Sequence, residues 1–85
     1  MKYVDACRKA EEYAEEKGIV YEKIDVLEFE QEWWFSYIPK GENYTNCIKI
    51  AIDKEGTIRK IYLPVPPLQN LKIYQAGKRI EFIQK

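Results

Sequence analysis

The sequence predicts an α+β fold, with an N-terminal helix packed on one face of an antiparallel sheet of four to five strands. Three observations carry it. Residues 3–17 have the spacing of an amphipathic helix. Residues 32–38 concentrate aromatic side chains in a strand-like run, and from Thr45 onward apolar residues alternate between turn-forming stretches. At 85 residues the chain reads as one domain, 1–85, with room for a single core and little stability to spare.

In the helix, Tyr3, Ala6, Cys7, Ala10, Tyr13 and Ala14 fall at i, i+3, i+4 and i+7 spacings, while Arg8, Lys9, Glu11, Glu12, Glu15 and Glu16 occupy the other side. Gly18 supplies the stop, and Lys17 in the last turn suits the negative end of the helix dipole. The centre of the apolar stripe is built from Ala and Cys, so the helix can approach a sheet closely. It needs a bulky sheet face opposite.

Glu32-Trp33-Trp34-Phe35-Ser36-Tyr37-Ile38 provides that face. Four of its seven residues are aromatic, and aromatics suit a pleated surface. Side chains alternate along a strand, so Trp33, Phe35 and Tyr37 point one way and Trp34, Ser36 and Ile38 the other. The preceding stretch, Ile19 to Glu30, has apolar residues of both parities: Ile24 and Val26 on one, Leu27 and Phe29 on the other. A bulge or kink near Val26-Leu27 would reconcile them.

Pro39-Lys40-Gly41-Glu42-Asn43 reads as a loop. Thr45 to Ile52 is a strand with Ile48, Ile50 and Ile52 on one face, Asp53-Lys54-Glu55-Gly56 is a turn with Gly in the left-handed position, and Thr57 to Leu63 is the return strand. Pro64-Val65-Pro66-Pro67 ends it. Two readings of the remainder stay open. One is a short helix from Pro67 to Gly77; the other, which we favour, is a hairpin pairing Leu71–Tyr74 with Arg79–Ile83.

Net charge is zero but unevenly placed. Residues 1–30 hold five Lys/Arg against nine Asp/Glu, a net of −4, and residues 31–85 hold the compensating +4. A pI near 6.3 argues against a nucleic-acid binder. No apolar run reaches the roughly 18 residues of a membrane span, and the charged start has no leader-like pattern, which predicts a cytoplasmic protein. Cys7 lies on the helical stripe and Cys47 on the parity opposite the isoleucines, so two free thiols are expected.

Much chemistry is excluded. The chain has no histidine, which removes Ser-His-Asp and Cys-His catalysis and histidine-based zinc sites. No glycine-rich phosphate loop is present. Glu28, Glu30 and Glu32 could do paired-carboxylate work, but the same spacing describes a solvated strand edge. No cofactor or metal is expected, and the chain is predicted not to be an enzyme.

The order of these segments resembles two bacterial families. The Ala/Glu-rich helix from Ala6 to Ala14, the aromatic strand from Trp33 to Tyr37 and the Ile52-to-Gly56 turn are similar to YrhB-like immunity proteins, which accompany polymorphic toxins. The α-β-β-β order ending in an Asp-x-x-Gly turn also resembles the PepSY domain. Either resemblance covers about residues 3–62 and implies fold more than function.

The functional expectation is a small protein-binding module, such as an immunity protein or an antagonist of a neighbouring gene product. The alternative is a ligand-binding or enzymatic domain with a pocket between helix and sheet, lined by Trp33, Tyr13 and carboxylates. If the isoleucines and Ile61/Leu63 face inward, the outer face gathers Trp34, Lys49, Ala51, Ile58, Lys60 and Tyr62. Left uncovered, that face is the candidate interface for a protein partner or a homodimer. Covered by the C-terminal segment, it becomes a second core.

Overall fold

A computed structural model describes residues 1–41, 47–61 and 77–84, with side chains as far as Ile80 in the last of these. Among the described residues there is one helix, α1 (Tyr3–Lys17), followed by β1 (Lys23–Glu28), β2 (Glu32–Ile38), β3 (Ile48–Asp53), β4 (Ile58–Lys60) and β5 (Lys78–Gln84). The strands form one sheet in the order β4-β3-β2-β1-β5, with every pairing antiparallel. The architecture is the expected α+β arrangement. The expected ends of the Thr45–Leu63 hairpin, and both readings of residues 67–76, lie outside the described residues.

The helix lays its small-residue stripe on the aromatic face. Ala6, Ala10 and Ala14 pack with Ile24 and Val26 of β1, Trp33, Phe35 and Tyr37 of β2, and Ile50 and Ile52 of β3. Alanine leaves little between the helix backbone and the sheet, and the phenol of Tyr37 donates to the Ala10 carbonyl at 2.6 Å. That bond is buried, and desolvation raises the Tyr37 phenol far above its ordinary value, which keeps it a donor. Gly18 ends the helix in the left-handed conformation (φ 67°), and the next amide, of Ile19, bonds to the Ala14 carbonyl at 2.9 Å.

The bulge or kink expected near Val26-Leu27 has a counterpart at that position, but it is not what reconciles the mixed parity of β1. β1 and β2 pair without interruption from Lys23↔Ile38 to Glu28↔Trp33. Both faces of β1 are covered, so Ile24 and Val26 serve the helix side while Leu27 serves the other. A register shift does fall at Val26/Leu27, but in the ladder with β5. There Val26 pairs with Glu81 and Leu27 with Arg79, which leaves Ile80 as the extra residue.

Strands β3 and β4 are joined through Asp53, whose Oδ1 accepts the amides of Glu55 (2.9 Å) and Thr57 (3.0 Å). Gly56 has φ 98° and is buried. The start of the helix is tied to this turn: the Met1 ammonium donates to the Lys54 carbonyl (2.8 Å) and Lys9 Nζ to the Gly56 carbonyl (2.9 Å). A β-carbon at Gly56 would meet Met1 Cε at 2.8 Å and Lys9 Nζ at 3.3 Å; at Gly41 (φ 80°) it would meet nothing within 4 Å.

Gly56→Ala should therefore cost about 1–2 kcal/mol or more, through the left-handed backbone and the displaced contact together. Gly41→Ala should cost less, because only the backbone penalty applies. Urea melts of the two variants decide this, and equal losses would mean that the helix–turn contact contributes nothing.

Candidate functional site

The face opposite the helix is a second core. Leu27, Trp34 and Ala51 cluster there, with Phe29 and Ile61 packed against them. The Phe29 and Trp34 ring centroids are 4.5 Å apart. Trp34 is 8% exposed, Ala51 1% and Lys49 4%. These three sequence-predicted residues share one face, but the face is covered.

Ile58 and Lys60 do not join them. Ile52 pairs with Ile58 and Ile50 with Lys60, which puts both on the helix side of the sheet, and Ile58 packs against the helix-side core. Directly opposed residues of neighbouring strands share a face, so the length of the Asp53–Thr57 turn sets this parity. Arg59, opposite Ala51, and Ile61 take the outer positions instead. Tyr62 lies outside the described residues. The expected six-residue patch is not assembled in that form.

Two of the three carboxylates considered for acid–base work, Glu28 and Glu32, hold the tryptophans, while Glu30 is exposed. Trp33 Nε1 donates to Glu28 Oε2 at 3.0 Å. Lys54 Nζ bonds the same oxygen at 2.9 Å and lies 3.9 Å from the Trp33 ring centroid. On the other face Trp34 Nε1 donates to Glu32, which also receives Arg59 Nη2 at 2.7 Å. Lys54 and the indole hold the Glu28 carboxyl below its ordinary value. A base held this way is poorly placed to accept a substrate proton.

A row of polar residues crosses the outer face between the tryptophan end and the far end of the sheet. Asp25 pairs with Ser36, and Ser36 with Lys49; all three are buried. Arg79 Nε lies 3.1 Å from Asp25 Oδ1, and Nη2 donates to Oδ2 at 3.1 Å. Only the Oδ2 contact has hydrogen-bond geometry. Burial raises the Asp25 carboxyl above its ordinary value, against the lowering by Arg79 and Lys23. Lys49 Nζ lies 3.2 Å from the Cys47 carbonyl and 3.3 Å from its Sγ. Burial pushes the Cys47 thiol up despite Lys49 and Ser36, so the neutral thiol dominates near pH 7. Neither cysteine forms a disulfide. Among the described residues, no group of His, Cys, Asp and Glu could hold a metal ion, and no helix is long and apolar enough to cross a membrane.

Two hollows flank the C-terminal half of the helix. One, about 410 Å³ and wide open, is lined by Val20, Tyr21, Glu22 and Lys40. Val20 is 83% exposed. The Tyr21 ring packs tilted against Tyr37 with centroids 5.4 Å apart, and desolvation raises its phenol, with Glu11 and Glu15 near enough to add to the rise. The other hollow, about 330 Å³, lies between helix and sheet and is lined by Tyr13, Lys17, Ile19, Ile48 and Lys60. It holds the expected Tyr13. Trp33 and the expected carboxylates are replaced by two lysines and two isoleucines. Neither hollow is visible in the periodicity of any one element, since each joins residues from separate segments. No family model, curated protein or solved structure matches the chain.

With both tryptophans buried, Trp33→Ala and Trp34→Ala should each cost roughly 3–5 kcal/mol, a large part of the stability of so small a domain. Urea melts should show two comparable losses. A Trp34 variant as stable as the parent would mean that the outer cluster contributes no core.

The Asp25 shift has a definite sign in pH. Its folded carboxyl binds the proton more tightly than the unfolded one. Stability from this group therefore falls as pH rises from the ordinary carboxyl range through the raised value. Glu28 and Asp53 are lowered and act oppositely: their contribution is present above the ordinary range and lost on acidification. Asp25→Asn should gain on the parent as pH rises between about pH 3 and pH 7. Parallel stability curves for the two proteins would rule this out.

Proposed function

We propose that this chain is a small protein-binding module that engages a basic segment of its partner, as an immunity protein or an antagonist of a neighbouring gene product would. The observation that carries the reading is Val20. An aliphatic side chain left 83% exposed beside the Tyr21 ring, in a hollow with Glu22 and next to Glu11 and Glu15, suits docking better than folding. Glu11 and Glu15 are exposed and form no ion pair among the described residues. Glu11, Glu15 and Glu22 outnumber Lys40 around this aromatic face, which therefore attracts lysine and arginine side chains through cation–π contact and charge together. The docking surface is thus placed at the end of the helix and not on the buried outer face, and no catalytic step is assigned.

The test is capture from the native host followed by reconstitution of the purified candidate. A 1:1 complex is expected in sedimentation, its affinity falling with added salt. Glu11→Lys with Glu15→Lys should weaken it by roughly tenfold or more, and Val20→Ser should weaken it independently, with circular dichroism unchanged. A complex indifferent to all three substitutions would refute this surface, and failure of every reconstituted candidate would refute the reading.

A further inference from the structure

The second hollow has the opposite character, and an inference about it stands apart from the protein-binding reading. It lies on the flank of the helix facing β3 and β4, between Tyr13 and Lys17 above and Ile48 and Lys60 below, with Ile19 closing one wall. Tyr13 and Lys17 are one helical turn apart, with the Lys17 ammonium 5.9 Å from the Tyr13 ring centroid. Ile48 is 39% exposed, although its side-chain parity is that of the buried Ile50 and Ile52. Ile19 is held by its backbone N–H, which donates to the Ala14 carbonyl. Among the described residues no carboxylate lines the space.

From these features we propose that the groove binds a small amphipathic anion, a carboxylate carried on an aromatic or aliphatic body. The two ammonium groups supply charge-assisted donors for the carboxylate. The two isoleucines and the tyrosine ring supply a floor for the body. A volume of about 330 Å³ sits at the lower end of the roughly 300–1,000 Å³ range of ligand pockets, which fits a small molecule and not a folded partner. Each described lining residue comes from the helix, the chain leaving it or the sheet, so these walls stand before binding.

The experiment titrates the full chain with three probes, 4-phenylbutyrate, its uncharged primary amide and inorganic phosphate, followed by amide chemical shifts and calorimetry. Saturable shifts are expected at Tyr13, Lys17, Ile19 and Ile48 with phenylbutyrate. The amide and phosphate should each bind roughly tenfold or more weakly, since one lacks the charge and the other the apolar body. Lys17→Gln alters an exposed side chain and should weaken phenylbutyrate severalfold with unchanged melting, and Lys60→Gln should weaken it severalfold as well. Ile48→Ser should weaken it while leaving phosphate binding as it was. Equal binding of acid and amide would overturn the charge assignment, and equal binding of acid and phosphate would overturn the apolar floor. Shifts confined to the Val20–Glu22 hollow, or none up to the solubility of the probe, would overturn the site itself. None of these results depends on whether Glu11, Glu15 and Val20 dock a protein.

Discussion

Two adjacent tryptophans on a strand cannot be buried by one layer. Successive side chains of β2 leave the sheet on opposite faces, so Trp33 under the helix commits Trp34 to the other side. Each ring is large enough that leaving it in water forgoes roughly 1.5–3 kcal/mol or more. Both faces of the sheet must then be covered, and the burial of β1, β2 and β3 follows: each carries four or more consecutive buried residues. The indole N–H groups add a second demand, because a buried donor without a partner costs about 1–3 kcal/mol. Glu28 and Glu32 meet it from opposite faces of the sheet. Each carboxylate keeps its own cation, Lys54 or Arg59, so neither is left as an uncompensated charge.

The same constraint shapes what faces Trp33 and Trp34. Large aromatics on the helix side leave space only for a helix with a small contact stripe, and Ala6, Ala10 and Ala14 provide it. The outer face mixes its apolar cluster with the buried row Asp25–Ser36–Lys49, one residue from each of three neighbouring strands. A slip of one residue in any of these ladders would send a polar side chain of the row into the alanine-lined core. Buried polar groups of this kind contribute little net stability, but they make wrong registers expensive. The row thus reads as a device for pairing and not for catalysis. The raised Cys47 thiol at its end agrees, since a nucleophile would need the reverse shift.

How far the sequence carried follows from which signals are local. The helix from Tyr3 to Lys17 was legible to the residue, because its spacing, its glycine stop and its small stripe all lie within one segment. The facing of Trp33, Phe35 and Tyr37 was legible for the same reason. The parity of β4 was not. Its own pattern is ambiguous, with Ile58 and Ile61 an odd number of residues apart, so the turn had to decide. The Asp53 amide donating to the Thr57 carbonyl makes Asp53 and Thr57 opposing residues, and Ile58 then falls beside Ile52 on the helix side. The Glu28 and Glu32 contacts were hidden because a carboxylate on a strand end reads as solvated until its neighbour across the ladder is known. The hollows were hidden more deeply: Tyr13 and Lys60 are 47 residues apart, and nothing in either segment announces the other.

The division of charge by sequence, −4 before residue 31 and +4 after it, is only half of the surface pattern. On the helix itself the sign changes from flank to flank. Glu11 and Glu15 lie one turn apart on the side of Tyr21, whereas Lys9 and Lys17 lie two turns apart on the side of the β3–β4 turn and Lys60. Helical geometry makes this separation possible within fifteen residues, since i, i+4 rows run along the axis and neighbouring rows need not share a sign. At physiological ionic strength exposed charges are screened over about 8 Å, so the two flanks act on what touches them more than on each other. A chain of zero net charge can therefore present a carboxylate-rimmed aromatic hollow and a lysine-rimmed apolar groove on opposite sides of one short helix. Neither would survive if the rows were averaged. The short stretch Lys17-Gly18-Ile19-Val20-Tyr21 links them, with Ile19 turned into one hollow and Val20 into the other. The chain leaving the helix thus gives Ile19 to the groove of Lys17 and Lys60, and the next three residues, Val20, Tyr21 and Glu22, to the other hollow.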